Sequence, residues 1–232
     1  VCRICRQPFV ARYQPERVCQ ECVESHRLLT AERYREERVS RWLGMLQACG
    51  LSGRLTGYRL ETFDESLQPE AFAAVQEALD QWPYGPWPVL LGPPGTGKTH
   101  LGAGLIIALA ERGILGRYVA VPDLIVRLRV AEDQRAAERL WLVPLLETPT
   151  LVLDDLGREV ATDHWQQWLD ALLDHRYRHD LPTMVTANLD EEALAQLLGA
   201  AAMSRLLERG RVVRLRRGDR RQTPRPRPVP QA

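Results

Sequence analysis

The sequence predicts an α/β fold in which a parallel sheet is covered by helices on both faces. From about residue 54, short apolar runs typical of buried strands alternate with longer segments whose apolar residues recur at helical spacing. The chain has 232 residues, 45% hydrophobic and 26% charged, which suits one full domain and a small appendage. The net charge of +1 indicates no particular partner, and no apolar run is long enough for a membrane helix, so no membrane association is expected.

The predicted strands and helices follow one another in strict alternation, and this order favours a parallel sheet. Strands are expected at residues 89–91, 117–121, 150–153, 183–187 and 212–215. Helices are expected at residues 68–80, 98–112, 123–129, 135–146, 164–177, 190–198 and 203–209.

Four segments are predicted along the chain. They are a four-cysteine module at residues 1–24, a helix and linker at residues 25–53, the α/β domain at residues 54–217, and an Arg- and Pro-rich tail at residues 218–232. The linker is inferred from the glycines at positions 50, 53 and 57. The tail lacks the apolar residues that a core needs, so we expect it to be extended and disordered.

A phosphate-binding loop lies between the first predicted strand of this alternation and a helix. It matches G-x-x-x-x-G-K-[ST] at every fixed position with Gly92, Pro93, Pro94, Gly95, Thr96, Gly97, Lys98 and Thr99. Its backbone N–H groups and the following helix N-terminus suit the phosphates of ATP. Lys98 is expected to reach the β- and γ-phosphates, and Thr99 to ligate Mg²⁺. A chance glycine-rich turn is the alternative, and the strand–loop–helix context argues against it.

Two carboxylates at the end of a later strand complete this predicted site. Asp154 is expected to hold Mg²⁺ through water, and Asp155 to orient or deprotonate the attacking water. At the end of the next strand, Thr186 and Asn188 could reach the γ-phosphate or that water. The alternatives are an Asp pair that only ends a strand in a turn, and a solvated loop asparagine.

Four cysteines in two C-x-x-C pairs predict a zinc site. Cys2, Cys5, Cys19 and Cys22 would supply four thiolates for tetrahedral Zn²⁺, which would explain how a segment poor in aliphatic residues could fold. The alternative is four free cysteines. We interpret Cys49 as a packing residue. Cysteine usage of this kind indicates a reducing, cytoplasmic setting.

Two groups of arginines are candidates for contact with phosphate. Arg205 and Arg209 share a helix face, and one of them could stabilise charge on a neighbour's transferring phosphoryl group. From the spacing alone, a solvated basic face is the better interpretation. The basic stretch at residues 211–227 could hold a nucleic-acid backbone or remain a solvated tail.

Together these motifs resemble the bacterial replicative-helicase loaders of the DnaC/DnaI type, whose AAA+ ATPase core is related to IstB. The resemblance rests on Gly-Pro-Pro-Gly-Thr-Gly-Lys-Thr-His-Leu-Gly, Leu-Asp-Asp-Leu-Gly, Thr-Ala-Asn-Leu and Arg-Leu-Leu-Glu-Arg, and it covers roughly residues 54–221. The cysteine module is similar to the zinc-binding, helicase-contacting module of the DnaI branch, although all four ligands here would be cysteine.

The resemblance implies an AAA+ P-loop NTPase fold without a full helical lid, and it implies roles for individual residues. Asn188 corresponds to sensor 1, Arg209 to the arginine finger with Arg205 second, and Arg221, or Arg220, lies near a sensor-2 position. His100, directly after the loop, is typical of the group and is expected at the nucleotide site. The helices between residues 121 and 150 correspond to the extra DNA-contacting helix of initiator-type AAA+ proteins.

Four functions follow as hypotheses. The first is a loader that places a hexameric replicative DNA helicase on single-stranded DNA, self-associates through a trans-acting arginine, and uses slow ATP hydrolysis as a switch. The second is a transposition helper ATPase of the IstB type that acts with a transposase on duplex DNA. A small-molecule P-loop kinase and an interaction module that binds nucleotide without turnover are the third and fourth.

Overall fold

The computed structural model describes residues 36–131, 134–157 and 163–216, together with Gln7 and Glu24. The chain divides into two compact units, residues 1–45 and residues 46–232. Helix α1 occupies residues 36–48, within the helix predicted for the second segment. The four cysteines of the predicted zinc module and the whole Arg- and Pro-rich tail lie outside the described residues. None of the helices in the described ranges is long and apolar enough to cross a membrane.

A parallel sheet forms the centre of the second unit. Its strands are β1 (Trp87–Leu91), β2 (Arg117–Ala120), β3 (Leu151–Leu156), β4 (Thr183–Ala187) and β5 (Gly210–Arg214). They lie in the order β2-β3-β4-β1-β5, and every neighbouring pair is parallel. All five residues of β1 and of β4 are buried, as expected of strands covered on both faces. The predicted α/β fold is confirmed.

Helices cover both faces of the sheet. They are α2 (Pro69–Asp80), α3 (Lys98–Glu111), α4 (Val121–Arg129), α5 (Gln134–Trp141), α6 (Val143–Glu147), α7 (Asp163–Arg178), α8 (Glu191–Leu198) and α9 (Ala200–Arg209). Leu151 and Leu153 of β3 pack in one core cluster with residues of α4 and α6 to α9. Val152 between them faces α3, since successive side chains of a strand point to opposite faces.

The described residues between β2 and β3 form three helices, whereas the sequence pattern predicted two. Helix α4 begins at Val121, directly after β2, with Pro122 in its first turn. The single helix predicted over residues 135–146 divides near Leu142, and Pro144 lies in the first turn of α6. Proline is tolerated in a first turn and disrupts a helix interior, so Pro144 accounts for the division of the predicted helix into α5 and α6.

The segment predicted as a linker packs instead as part of the second unit from residue 46 onward. Leu46, Cys49 and Leu51 are buried, and the Tyr118 amide of β2 donates to the Cys49 carbonyl at 2.7 Å. Gly50 has φ +85°, and a Cβ there would lie 2.1 Å from the Tyr118 carbonyl oxygen. The glycine signal therefore marks a close backbone approach. Three 3₁₀ turns (Gly53–Gly57, Leu60–Thr62 and Glu65–Leu67) then lead to α2.

Candidate nucleotide site

The phosphate loop leaves the carboxyl end of β1 and enters α3 at Lys98. Gly97 caps this helix with φ +98°, and its Cα lies so close to Phe63 that a Cβ would be 2.7 Å from the ring. Lys98 is buried, and its Nζ donates to the carbonyl oxygens of Gly92 at 2.6 Å and Pro93 at 2.9 Å. Thr96 Oγ1 also donates to the Pro93 carbonyl, at 3.0 Å. The lysine ammonium is thus held inside the loop, where phosphate oxygens would be recognised.

Asp154 of β3 lies opposite the loop and accepts hydrogen bonds from three hydroxyl groups. Thr99 Oγ1 donates to Oδ2 at 3.0 Å, Tyr118 Oη donates to Oδ2 at 2.6 Å, and Thr186 Oγ1 donates to Oδ1 at 2.6 Å. Burial raises the pKa of Asp154, and the three donors counteract this by stabilising the carboxylate. Burial and the neighbouring Asp154 raise the pKa of Tyr118, so its phenol keeps the proton that it donates.

Thr99 and Asp154 fit the magnesium site that the sequence predicts. The Thr99 hydroxyl donates its hydrogen bond to Asp154, so the lone pairs of the Thr99 oxygen remain available to a cation. Hydroxyl and carboxylate oxygens are the ligands that Mg²⁺ prefers. These two residues would therefore hold the ion beside the phosphates, as expected.

Asp155 is turned toward Asn188 by an irregularity in β3. The pairing of β3 with β4 shifts register between Leu153 and Leu156, and Asp155 has φ +62°. In a regular strand, consecutive side chains would point to opposite faces, and a bulge redirects one of them. The Asn188 side-chain amide donates to Asp155 Oδ1, and the Asp155 amide donates to Thr186 Oγ1 at 3.0 Å. The structure thus brings Asp154, Asp155 and Asn188 together at the edge that carries the loop.

His100 follows the loop in the first turn of α3, and its ring faces residues 58–63. The ring stacks on Tyr58 with centroids 4.8 Å apart and meets Phe63 edge-on at 5.4 Å. Its Nε2 lies 2.8 Å from the Arg59 carbonyl oxygen and 3.2 Å from Thr62 Oγ1. These contacts anchor the turns before α2 to the helix that begins at the loop. The expected contact of His100 with nucleotide stays a prediction.

The two candidate finger arginines form ion pairs within the chain. Arg205 of α9 bridges Asp170 at 3.1 Å and Asp174 at 2.8 Å, both on α7. Arg209 pairs with Asp180 at 2.7 Å and directly precedes Gly210, the first residue of β5. Gly210 pairs with the first residue of β1, so Arg209 lies at the amino end of the strands, whereas the phosphate loop lies at their carboxyl end.

Several predicted site residues lie outside the described residues. They are Arg221 and the proposed zinc ligands Cys2, Cys5, Cys19 and Cys22. Within the described ranges, no group of three or more His, Cys, Asp or Glu side chains could hold a metal ion. The described chain ends at Arg216, beside the loop: Leu215 N donates to the Leu91 carbonyl and Gln68 Nε2 to the Arg216 carbonyl, both at 2.7 Å.

Sequence reasoning missed Tyr118 and Gln68. Both were assigned to ordinary secondary structure, and neither belongs to a motif. The signal for Tyr118 was weak: it is a tyrosine in a short, half-buried strand next to the strand that carries the carboxylates. Only the pairing of β2 with β3, in which Tyr118 lies opposite Val152, brings its hydroxyl within reach of Asp154.

Comparison with known proteins places this site in a family. Residues 87–223, more than half of the chain, match the family described as IstB-like ATP binding protein. The chain belongs to this family. The Bacillus subtilis (strain 168) replicative helicase loader DnaI is 34% identical to this IstB-like protein over 108 residues, 45% of this chain and 34% of DnaI. A putative insertion sequence ATP-binding protein of Sinorhizobium fredii (strain NBRC 101917 / NGR234) is 32% identical over 136 residues, 57% of this chain and 45% of that protein.

The chain of this IstB-like protein therefore spans less than half the length of each of these relatives. A crystal structure of DnaI superimposes with a TM-score of 0.62 at 25% identity, covering 72% of this chain and 95% of that chain. The sheet order, the loop and this likeness establish the AAA+ P-loop NTPase fold. The resemblance to DnaC/DnaI-type proteins with an IstB-related core is confirmed.

Proposed function

We propose that this chain binds ATP with Mg²⁺ and hydrolyses it to ADP and phosphate. The observation that carries the proposal is the placement of Asp155, held by Asn188, next to Asp154 and on the same edge as the phosphate loop. Lys98 and the loop N–H groups bind the phosphates, and Asp155 accepts a hydrogen bond from the attacking water and orients it. Bound Mg²⁺ would neutralise part of the negative charge of the ATP phosphates. The test is a measurement of phosphate release by the full chain. We expect release from the wild type and none from Lys98→Ala.

We further propose that ATP turnover serves the loading of a hexameric replicative DNA helicase onto single-stranded DNA. The likeness to the helicase loader DnaI, over most of the DnaI crystal structure, supports this function. A loader needs ATP as a switch between two states, so modest hydrolysis suffices. The cytoplasmic location and the self-association through Arg209 or Arg205 are parts of the same proposal.

The helices between β2 and β3 are the proposed DNA contact. They carry four exposed arginines: Arg127, Arg129, Arg135 and Arg139. Exposed arginines bind nucleic-acid phosphates through charge and hydrogen bonds. Arg127 also lies over the Trp141 ring, 4.6 Å from its centroid. A basic surface with an adjoining aromatic ring suits single-stranded nucleic acid, whose bases can stack.

The loader proposal is tested by mixing the full chain with the replicative helicase of its own source, with and without ATP. Native mass spectrometry should detect several copies of this chain on a helicase hexamer when ATP is present. The same mixture should unwind DNA whose single strand is coated with its binding protein, and Lys98→Ala should abolish that unwinding. Absence of any complex with the helicase would contradict the loader function.

A transposition helper is the second candidate, and the similarity to the Sinorhizobium insertion sequence protein favours it. In that case the chain would bind duplex DNA in an ATP-dependent manner and would associate with a transposase. Titration of single-stranded and duplex DNA of equal length, at matched salt, distinguishes the two functions. Preference for duplex DNA combined with failure to bind the helicase would favour the transposition helper.

A further inference from the structure

Tyr118 of β2 contributes the longest side chain among the donors to Asp154. Its ring is 5% exposed and reaches from β2 past α3 to the Asp154 carboxylate, where Oη is 2.6 Å from Oδ2. The ring packs beside Gly102 of α3, since a Cβ at that position would be in ordinary contact with it at 3.8 Å. The hydroxyl is therefore buried and aimed at a residue that the proposed function assigns to magnesium.

The lone pairs of Asp154 show what this contact does. A carboxylate offers about four acceptor positions, two on each oxygen. Thr99 and Tyr118 both donate to Oδ2, whereas Thr186 donates to Oδ1. Both positions on Oδ2 are then taken, and one position on Oδ1 remains for the hydration shell of a cation.

The three donors differ in how firmly they are placed. Thr99 belongs to the phosphate loop, and its oxygen is also a proposed ligand of the ion. Thr186 accepts from the Asp155 amide while it donates to Asp154. Tyr118 stands on a strand of the sheet, with its amide bonded to the Cys49 carbonyl at 2.7 Å. Its hydroxyl position is therefore set by the sheet and does not follow the loop.

We propose that Tyr118 is a positioning residue that fixes the rotation of the Asp154 carboxylate, so that Oδ1 is presented to the hydrated magnesium of bound ATP. The inference rests on the proposed Mg²⁺-dependent ATP hydrolysis and adds a residue outside the known motifs to that site. Removal of the hydroxyl leaves Oδ2 with one donor fewer and allows the carboxylate to rotate. Magnesium then binds less tightly, whereas recognition of the phosphates by the loop is unchanged.

The test is Tyr118→Phe in the full chain, with Tyr177→Phe as the matched control. Tyr177 also donates its hydroxyl to a carboxylate, that of Glu208 at 2.7 Å, on the surface of α7 and away from the loop. Phosphate release is measured at fixed ATP over a magnesium titration, and affinity for a fluorescent ATP analogue is measured in EDTA. For Tyr118→Phe we expect the half-saturating Mg²⁺ concentration to rise about ten-fold, the size of one lost hydrogen bond to a charged group. Metal-free nucleotide affinity should stay within about two-fold of wild type.

The outcomes separate this inference from the proposed function. If wild type hydrolyses ATP and Tyr118→Phe keeps its magnesium dependence, the inference is wrong and the ATPase proposal stands. If wild type does not hydrolyse ATP, the ATPase proposal fails, and the inference is decided by the gain in nucleotide affinity on adding Mg²⁺, which Tyr118→Phe should diminish. If Tyr118→Phe lowers the metal-free nucleotide affinity by as large a factor as it raises the half-saturating Mg²⁺ concentration, its role is purely structural and the inference is overturned. If Tyr118→Phe does not fold, Tyr118→Met carries the same expectations.

Discussion

At the scale of single residues, the backbone conformation at position 155 suits an aspartate. Asp155 has φ +62°, a left-handed conformation that aspartate and asparagine adopt more readily than most side chains. In this position the short side chain already reaches the Asn188 amide. The backbone turn and the Asn188 contact together fix the direction of the Asp155 carboxylate.

Replacement of Asp155 by asparagine should separate ATP binding from ATP hydrolysis. Asp155→Asn preserves the size of the side chain and removes the charge that orients the water, so we expect phosphate release to fall about 100-fold or more. Affinity for ATP should change little, because Asp155 is not expected to hold the phosphates. Phosphate release and binding of a fluorescent ATP analogue measure the two effects.

Asp80→Asn is the control for this experiment, since Asp80 is a surface carboxylate of α2 that pairs with Arg112. It should leave both quantities unchanged. Unaltered turnover in Asp155→Asn would contradict the assignment of Asp155.

The residues of the candidate site could be predicted where a motif fixes their positions, and not elsewhere. Thr99 and Asp154, more than 50 residues apart, were expected together because both belong to recognisable patterns, and they lie within a hydrogen bond of each other. Tyr118 belongs to no pattern, and its role arises only from strand pairing. Asn188 was expected near the attacking water because it follows the next strand along the chain, whereas the bulge that turns Asp155 toward it was not expected.

At the scale of secondary-structure elements, the apolar strands were predicted well and the region around prolines was not. Strand β4 was predicted at residues 183–187 and has those bounds, since a buried strand in a parallel sheet is a continuous apolar run. Between β2 and β3, helical periodicity continues across short breaks. The division of the helix predicted at residues 135–146 into α5 and α6 depends on Pro144, which starts a helix rather than interrupts one.

Arg176 connects three elements through a buried guanidinium. It is fully buried, and it donates to Thr183 Oγ1 of β4, to the Pro182 carbonyl, and to the carbonyls of Leu145 and Thr148 around the end of α6. Burial lowers the pKa of Arg176 to about 9, so the side chain is still a cation at neutral pH. Its donors satisfy carbonyl groups that would otherwise be buried without partners.

Arg176→Met should therefore lower the free energy of unfolding by roughly 2–4 kcal/mol, because several buried acceptors lose their donor at once. Chemical denaturation of the full chain measures this change. Arg178→Met on the same helix is the matched control, since Arg178 is an exposed residue that pairs with Asp174. It should change stability by less than about 1 kcal/mol. Equal effects of the two substitutions would show that the buried hydrogen bonds contribute little.

At the scale of the whole molecule, the candidate finger Arg209 cannot serve the chain that carries it. Arg209 precedes the start of β5, and the phosphate loop follows the end of β1, with four residue steps of paired strand between them, roughly 13 Å. The arginine and the loop therefore lie at opposite ends of the paired strands. A catalytic role for Arg209 requires a neighbouring copy whose loop faces the end that carries Arg209.

Mixing two inactive variants tests this requirement. Lys98→Ala lacks phosphate binding but carries Arg209, and Arg209→Ala carries an intact loop. If the arginine acts in trans, an equal mixture should regain about a quarter of wild-type phosphate release, since random head-to-tail assembly places the two intact halves together at one site in four. Mixing Lys98→Ala with Asp155→Asn, both defective in the same half, should restore nothing.

Recovery with Arg205→Ala in place of Arg209→Ala would identify Arg205 as the finger instead. Because Arg205 also bridges α7 to α9, its variant needs a check of thermal stability before the comparison. Absence of recovery in both mixtures would contradict a trans-acting arginine.

The four cysteines predict one zinc ion in the full chain. Metal analysis should find about one Zn²⁺ per chain, and Cys5→Ser should lower that content because a four-thiolate site loses a ligand. A zinc chelator, with Mg²⁺ kept in excess, should remove the zinc without changing ATP affinity, since the phosphate loop belongs to a separate unit. Cys49→Ser is the control, because Cys49 is a buried thiol in the second unit. A chain without zinc would contradict the prediction.

The contact between Gly50 and β2 has a consequence for how this sequence can evolve. Any side chain at position 50 would collide with the Tyr118 carbonyl and displace the strand that carries the Tyr118 hydroxyl. Selection for nucleotide chemistry should therefore reach back to a residue about forty positions before the phosphate loop. Natural variation at this position should be narrow, although no motif search would demand a glycine there.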